Sequence, residues 1–103
     1  MHHQLADRLN AAVRDEVERL KTLTLSQMTS LPPSAEKKLT VDDEVIVLTT
    51  WHDLLPSGEH RLVAQAGQKA MFGLGVYLSA DGLAVSNTGA VRSLNDDELT
   101  LFK

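Results

Sequence analysis

The sequence predicts an α+β domain: an N-terminal amphipathic helix or two in succession, an antiparallel meander of four to five strands, and a short C-terminal helix. Three observations carry this. Apolar residues recur at helical spacing from Leu5 to Leu20. From residue 39 the chain changes to short runs rich in β-branched and aromatic residues, separated by turns containing Gly, Asn or Asp. Near the end, Asn95-Asp96-Asp97-Glu98-Leu99 has the make-up of a helix start. The expected organisation is one domain of 103 residues: a helical segment over 1–31, a sheet over 39–93 and a short helix over 95–102.

In the first segment Leu5, Leu9, Ala12, Val13, Val17 and Leu20 form one stripe, with Asp7, Arg8, Arg14, Asp15, Glu18 and Arg19 off it. Thr22 and Thr24 lower helix propensity. Thr24, with Gln27 three residues on, has the pattern of a fresh capping box. The helix is expected to run to residue 22 or so, then either to continue or to restart as a short helix reaching residue 30. Leu31-Pro32-Pro33-Ser34 ends it, because proline has no N–H to donate. An unbroken helix to residue 30 would be about 40 Å long, overhanging seven-residue strands of about 23 Å.

Four strands are expected: Val45 to Trp51, His60 to Gly67, Ala70 to Ala80, and Gly82 to Ser86. Asp81-Gly82 is a two-residue hairpin signal. It sets Ala80 opposite Leu83 and Leu78 opposite Val85, with Phe72, Leu74 and Val76 on the same side. A five-residue loop from Leu54 to Gly58 sets His52 opposite His60, Thr50 opposite Leu62, and Trp51 opposite Arg61. One face then holds Ile46, Leu48, Thr50, Leu62, Ala64 and Ala66, and its small central residues make a bed for the helix. Asn87-Thr88-Gly89 is a turn before a brief fifth strand at 90–93. In the tail, Asn95 caps, Glu98 closes the box, and Leu94 can staple to Leu99. The order of elements resembles the cystatin-like roll in outline, an analogy of fold that carries no function.

Composition narrows the class. Ten basic and fourteen acidic residues leave a net charge of −4, and no basic run exceeds Lys37-Lys38, which argues against a nucleic-acid partner. Cysteine is absent, so neither disulfides nor thiolate chemistry are available, in keeping with a cytoplasmic setting. No stretch approaches the ~18 apolar residues of a membrane span.

The sequence from Trp51 to Arg61 is nearly palindromic: His52 and Asp53 answer Glu59 and His60. Imidazole and carboxylate are competent metal ligands, but the expected register puts the histidines toward the helix and the acids on the reverse side or in the loop. His52 and His60 are the only metal candidates, and no metal site or cofactor is expected. Ser57, between Pro56 and Gly58, reads as a turn residue rather than a nucleophile. Gly73-Leu74-Gly75 follows no strand-to-helix turn and marks strand curvature or a close backbone approach rather than a nucleotide loop. The two Asp-Asp-Glu runs, at 42–44 and 96–98, lack calcium-loop spacing.

The reverse face is where the sequence points outward. Val45, Val47, Trp51, Val63, Met71 and Tyr77 fall on it, with Gly73 and Gly75, and Arg61 sits as a cation–π neighbour of Trp51. A short tail helix cannot cover such a surface. The leading expectation is therefore a small cytoplasmic protein that self-associates as a homodimer and interacts with other proteins (an adaptor, a chaperone or an inhibitor), without catalysis of its own. Its partner-binding residues would be Val47, Trp51, Arg61, Val63, Met71, Gly73, Gly75 and Tyr77. The alternative is a small-ligand or metal-binding protein or enzyme, with a helix–sheet pocket rimmed by His52 and His60.

Overall fold

The computed structural model describes the backbone of residues 2–41, 44–69 and 76–102, with side chains at 6–40, 45–68 and 78–102. Helix α1 (His2–Lys21) and helix α2 (Leu25–Thr29) precede five strands: β1 (Ser34–Val41), β2 (Glu44–Leu54), β3 (His60–Lys69), β4 (Val76–Val85) and β5 (Val91–Ser93). Helix α3 (Asp96–Leu99) follows and runs into a 3₁₀ turn at Thr100–Phe102. The strands form one antiparallel sheet in chain order. The protein is thus the α+β meander that its sequence predicts.

α1 lays its stripe on one face of the sheet. Leu9, Val13, Val17 and Leu20 are buried against Ile46, Leu48, Leu62, Ala64, Ala66, Leu83 and Val85. The alanines let the helix approach β3 closely, and each fully buried Leu or Ile contributes about 1.5–3 kcal/mol. α1 stops at Lys21 for a local reason. The Thr22 and Leu23 amides bond back three residues, to Arg19 and Leu20, and the Thr22 hydroxyl also donates to the Arg19 carbonyl at 2.6 Å. The chain then restarts. The Thr24 hydroxyl accepts from the Gln27 amide, and the Gln27 side chain accepts from the Thr24 amide at 2.8 Å, completing the box. α2 folds back so that Met28 closes the same core, and no overhanging helix forms.

Three sequence expectations change. The sheet begins at Ser34, not at residue 39: β1 is an outer strand pairing with β2 along its whole length. Its composition, with Glu36, Lys37 and Lys38 in the middle, hides a strand whose two sides are both largely solvated. Asp81-Gly82 is not a hairpin. β4 passes straight through it, with Asp81 opposite Ala64 and Gly82 opposite Val63. A Cβ at Gly82 would lie 2.1 Å from the Leu62 carbonyl oxygen and 3.0 Å from Leu94 Cδ1, so this glycine serves a close backbone approach. Ala80 and Leu78 consequently lie on the face opposite Leu83 and Val85, since strand residues alternate.

The β2–β3 register also differs. Leu54 pairs with His60, Asp53 with Arg61, His52 with Leu62, and Trp51 with Val63. The loop is Leu55 to Glu59, closed by Leu55 N–H to the Glu59 carbonyl and Gly58 N–H to the Leu55 carbonyl, with Gly58 at φ 89°. The slip is by two residues, and an even slip leaves every side chain on its expected face. That is why the predicted core of β2 and β3 survives an incorrect register.

Candidate interaction surface

The second face of the sheet is divided. Around Val63 of β3 and Ala84 of β4 it is covered by the C-terminal segment. Asn95 caps α3 by accepting from the Glu98 amide, and Glu98 returns the bond to the Asn95 amide. Leu94, Leu99 and Phe102 then pack on Val63 and Ala84, with Leu55 and Ala80 at the margin. Polar contacts fix the segment in place. Arg61 donates to the Glu98 carbonyl at 3.0 Å and to Asp53 Oδ1 at 2.7 Å, and its guanidinium lies 5.1 Å from the Phe102 ring centre. Gln65 donates to the Phe102 carbonyl at 2.8 Å while its Oε1 accepts the Trp51 indole N–H at 3.1 Å.

At the outer end of α3, Arg92 holds two carboxylates. It donates to both oxygens of Glu59, at 2.9 and 3.0 Å, and to both oxygens of Glu98, at 2.8 Å each. These bonds hold Glu59 below the usual carboxylate range, and hold Glu98, which also accepts from the Asn95 amide, at about 2. Arg92 is raised in turn.

The palindromic stretch therefore resolves into three separate arrangements. Asp53 pairs with Arg61, and Glu59 pairs with Arg92. The two histidines meet on the α1 side: His60 Nδ1 lies 2.8 Å from His52 Nε2, and His52 Nδ1 lies 2.8 Å from the Leu31 carbonyl. The described residues contain no group of three His, Asp or Glu that could hold a metal ion. A cavity of about 130 Å³ beside α1 is lined by Glu16, Arg19, Leu31, Leu48 and Thr50 among others, and neither histidine reaches it. Glu16 is buried there. Burial alone would raise its carboxyl, but hydrogen bonds from Arg19 and Thr50, with the charges of Arg19 and Lys37, outweigh that and hold it low.

From β1 across to Gly67 and Leu78, the described residues leave the second face open. A shallow groove of about 400 Å³ runs between Glu36, Val47, Thr49, Gln65, Gly67, Gln68 and Leu78. Val45 is 48% exposed, Leu78 44% and Trp51 36%, the last with its ring 6.1 Å from Phe102. Of the residues that the sequence assigned to a partner, Val47 and Trp51 lie on this open part. Val63 is 0% exposed beneath Leu94 and Leu99, and Arg61 is engaged by the C-terminal segment, so its aromatic neighbour is Phe102 rather than Trp51. Met71, Gly73 and Gly75 lie outside the described residues, as does the side chain of Tyr77, whose backbone pairs with Gln68. Leu78 and the β1 residues were missed. The Asp81-Gly82 signal placed Leu78 on the wrong face, and charge disguised β1.

The fold and its surface define a helix-on-meander α+β protein with one sheet face half covered. No protein-family model, curated protein or solved structure matches the chain. Among the described residues no helix is long and apolar enough to cross a membrane.

Proposed function

We propose that this chain is a small cytoplasmic protein–protein interaction domain that self-associates as a homodimer, using the margin of the sheet formed by β1 and β2. The observation that carries the reading is the division of the second face. The C-terminal segment packs over Val63 and Ala84 and brings Phe102 beside Trp51, while among the described residues Val47 and Leu78 line an open groove. Leu78 is already about half buried, so covering it completely would contribute roughly 1 kcal/mol, and Val47 less. Beside that groove runs β1, eight residues long and, among the described residues, paired with β2 on one side only. An apolar floor bordering a free strand edge is the usual setting for strand addition. At the other edge β5 has three residues and is tied to α3 through Arg92, which leaves less to pair with.

Sedimentation velocity over a wide concentration range tests this. Self-association is expected, with the Trp51 emission shifting to the blue as the dimer forms. Leu78→Asp, on the exposed floor, is expected to shift the equilibrium to monomer with an unchanged far-UV spectrum. A wild-type chain that stays monomeric at the highest concentrations would overturn the reading.

A further inference from the structure

The free edge of β1 carries information about how it would be paired. We infer that two copies of this chain join antiparallel along β1, with Lys37 facing the partner's Lys37 on a two-fold axis, Glu36 facing the partner's Lys38, and Lys38 facing the partner's Glu36. This rests on the self-association reading and specifies its geometry.

Backbone alternation narrows the pairing. The His52 N–H bonds the Pro33 carbonyl at 2.9 Å, and the β1–β2 register continues that pairing outward. Residues in an antiparallel ladder alternate between bonding one neighbour and the other. Ala35, Lys37 and Leu39 therefore bond β2, while Ser34, Glu36, Lys38 and Thr40 direct their N–H and C=O groups to the free edge. A second copy must meet that edge with the same residues. The two-fold arrangement centred on Lys37 pairs Ser34 with the partner's Thr40 and Glu36 with the partner's Lys38, so every outward-facing residue is used. Centring on Glu36 or on Lys38 would set like charge against like and leave an end unpaired.

Side-chain chemistry selects the same arrangement. Glu36 and Lys38 lie opposite Thr49 and Val47, on the second face beside the groove. Neither makes a hydrogen bond or ion pair among the described residues. Across the axis each finds an opposite charge, and directly opposed pairs of this kind are favourable where like charges are not. Lysines on an edge strand ordinarily discourage pairing. Here Lys38 is matched by the partner's Glu36. The facing Lys37 side chains are the remaining unfavourable term, softened by the Glu16 carboxylate on that side of the sheet. The product is two five-stranded sheets joined into one, with both open grooves on the same side.

The chain has no cysteine, so one introduced thiol reports position without background. Facing residues at the axis form a non-hydrogen-bonded pair with Cα atoms about 4.5 Å apart, within the roughly 4.4–6.8 Å that a disulfide spans. Lys37→Cys is expected to give a covalent dimer rapidly on mild oxidation, and Lys38→Cys is not. Glu36→Lys and Lys38→Glu are each expected to weaken association by about tenfold or more, because both symmetric contacts become repulsive, and the double exchange to restore it. If the wild type dimerises while both single exchanges leave its affinity unchanged, or while Lys38→Cys cross-links as readily as Lys37→Cys, self-association stands and this pairing falls. If the wild type does not dimerise, both fall.

Discussion

His60 Nδ1 and His52 Nε2 stand 2.8 Å apart, and the opposite nitrogen of His52 meets the Leu31 carbonyl at the same distance. A carbonyl can only accept, so His52 donates through Nδ1. With both rings neutral, its Nε2 then accepts from His60. The two rings form a directed chain tying the end of the β2–β3 hairpin to the segment that leads from α2 into β1. Through these contacts they tie down the approach to the edge strand.

Long-range ¹H–¹⁵N spectra should accordingly show His52 as the Nδ1-protonated tautomer in the neutral protein. His52→Ala strands both the Leu31 carbonyl and the His60 N–H, and is expected to cost about 1–3 kcal/mol in urea unfolding. His60→Ala should cost less, since His52 keeps its bond to Leu31. The Nε2-protonated tautomer at His52 would refute the directed chain.

Gly82 offers a sharper test of topology. At a solvent-exposed hairpin turn, alanine would be a modest change. In β4 its methyl group meets the Leu62 carbonyl oxygen, a backbone atom that cannot swing aside. Gly82→Ala is therefore expected to cost more than about 2 kcal/mol, in the upper part of the range for point substitutions. A loss within the scatter of surface substitutions would argue for the hairpin instead.

Arg92 sets part of the pH dependence. Glu59 and Glu98 have carboxyls held below their ordinary value of 4.5, Glu98 at about 2. Groups depressed in the folded state stabilise it above their unfolded pKa and lose that contribution as pH falls through the folded one. The melting temperature should thus decline as pH drops from about 4.5 toward 2, with buried Glu16 acting in the same direction. Arg92→Met should lower the melting temperature at neutral pH and flatten the decline. The comparison needs low salt, because the Arg92 contacts are exposed and screened. An Arg92→Met melting curve that keeps the wild-type acid slope would assign that slope to carboxylates other than Glu59 and Glu98.

Local chemistry was legible in the sequence wherever neighbours along the chain settle it. The stripe of Leu9, Val13, Val17 and Leu20, the restart at Thr24 and the cap at Asn95 each depend on contacts within one or two turns of helix, and all formed as the spacing indicates. The face assignment of β2 and β3 was legible too. Period-two alternation survives any even slip in register, so Leu48 and Leu62 reached the core although their expected partners were wrong.

What the tertiary structure decided are the features that depend on a neighbour distant in sequence. Asp81-Gly82 favours a turn locally, but a ten-residue β3 with its own edge to satisfy draws the chain through as strand. Ser34–Val41 has little strand propensity, yet the open edge of β2 recruits it. Arg61 was expected beside Trp51, but a C-terminal segment docked across the sheet supplies it with Asp53, Glu98 and Phe102. In each case the free energy of pairing or burial against a remote element outweighs a local preference of about a kilocalorie per mole. No window of sequence contains that term.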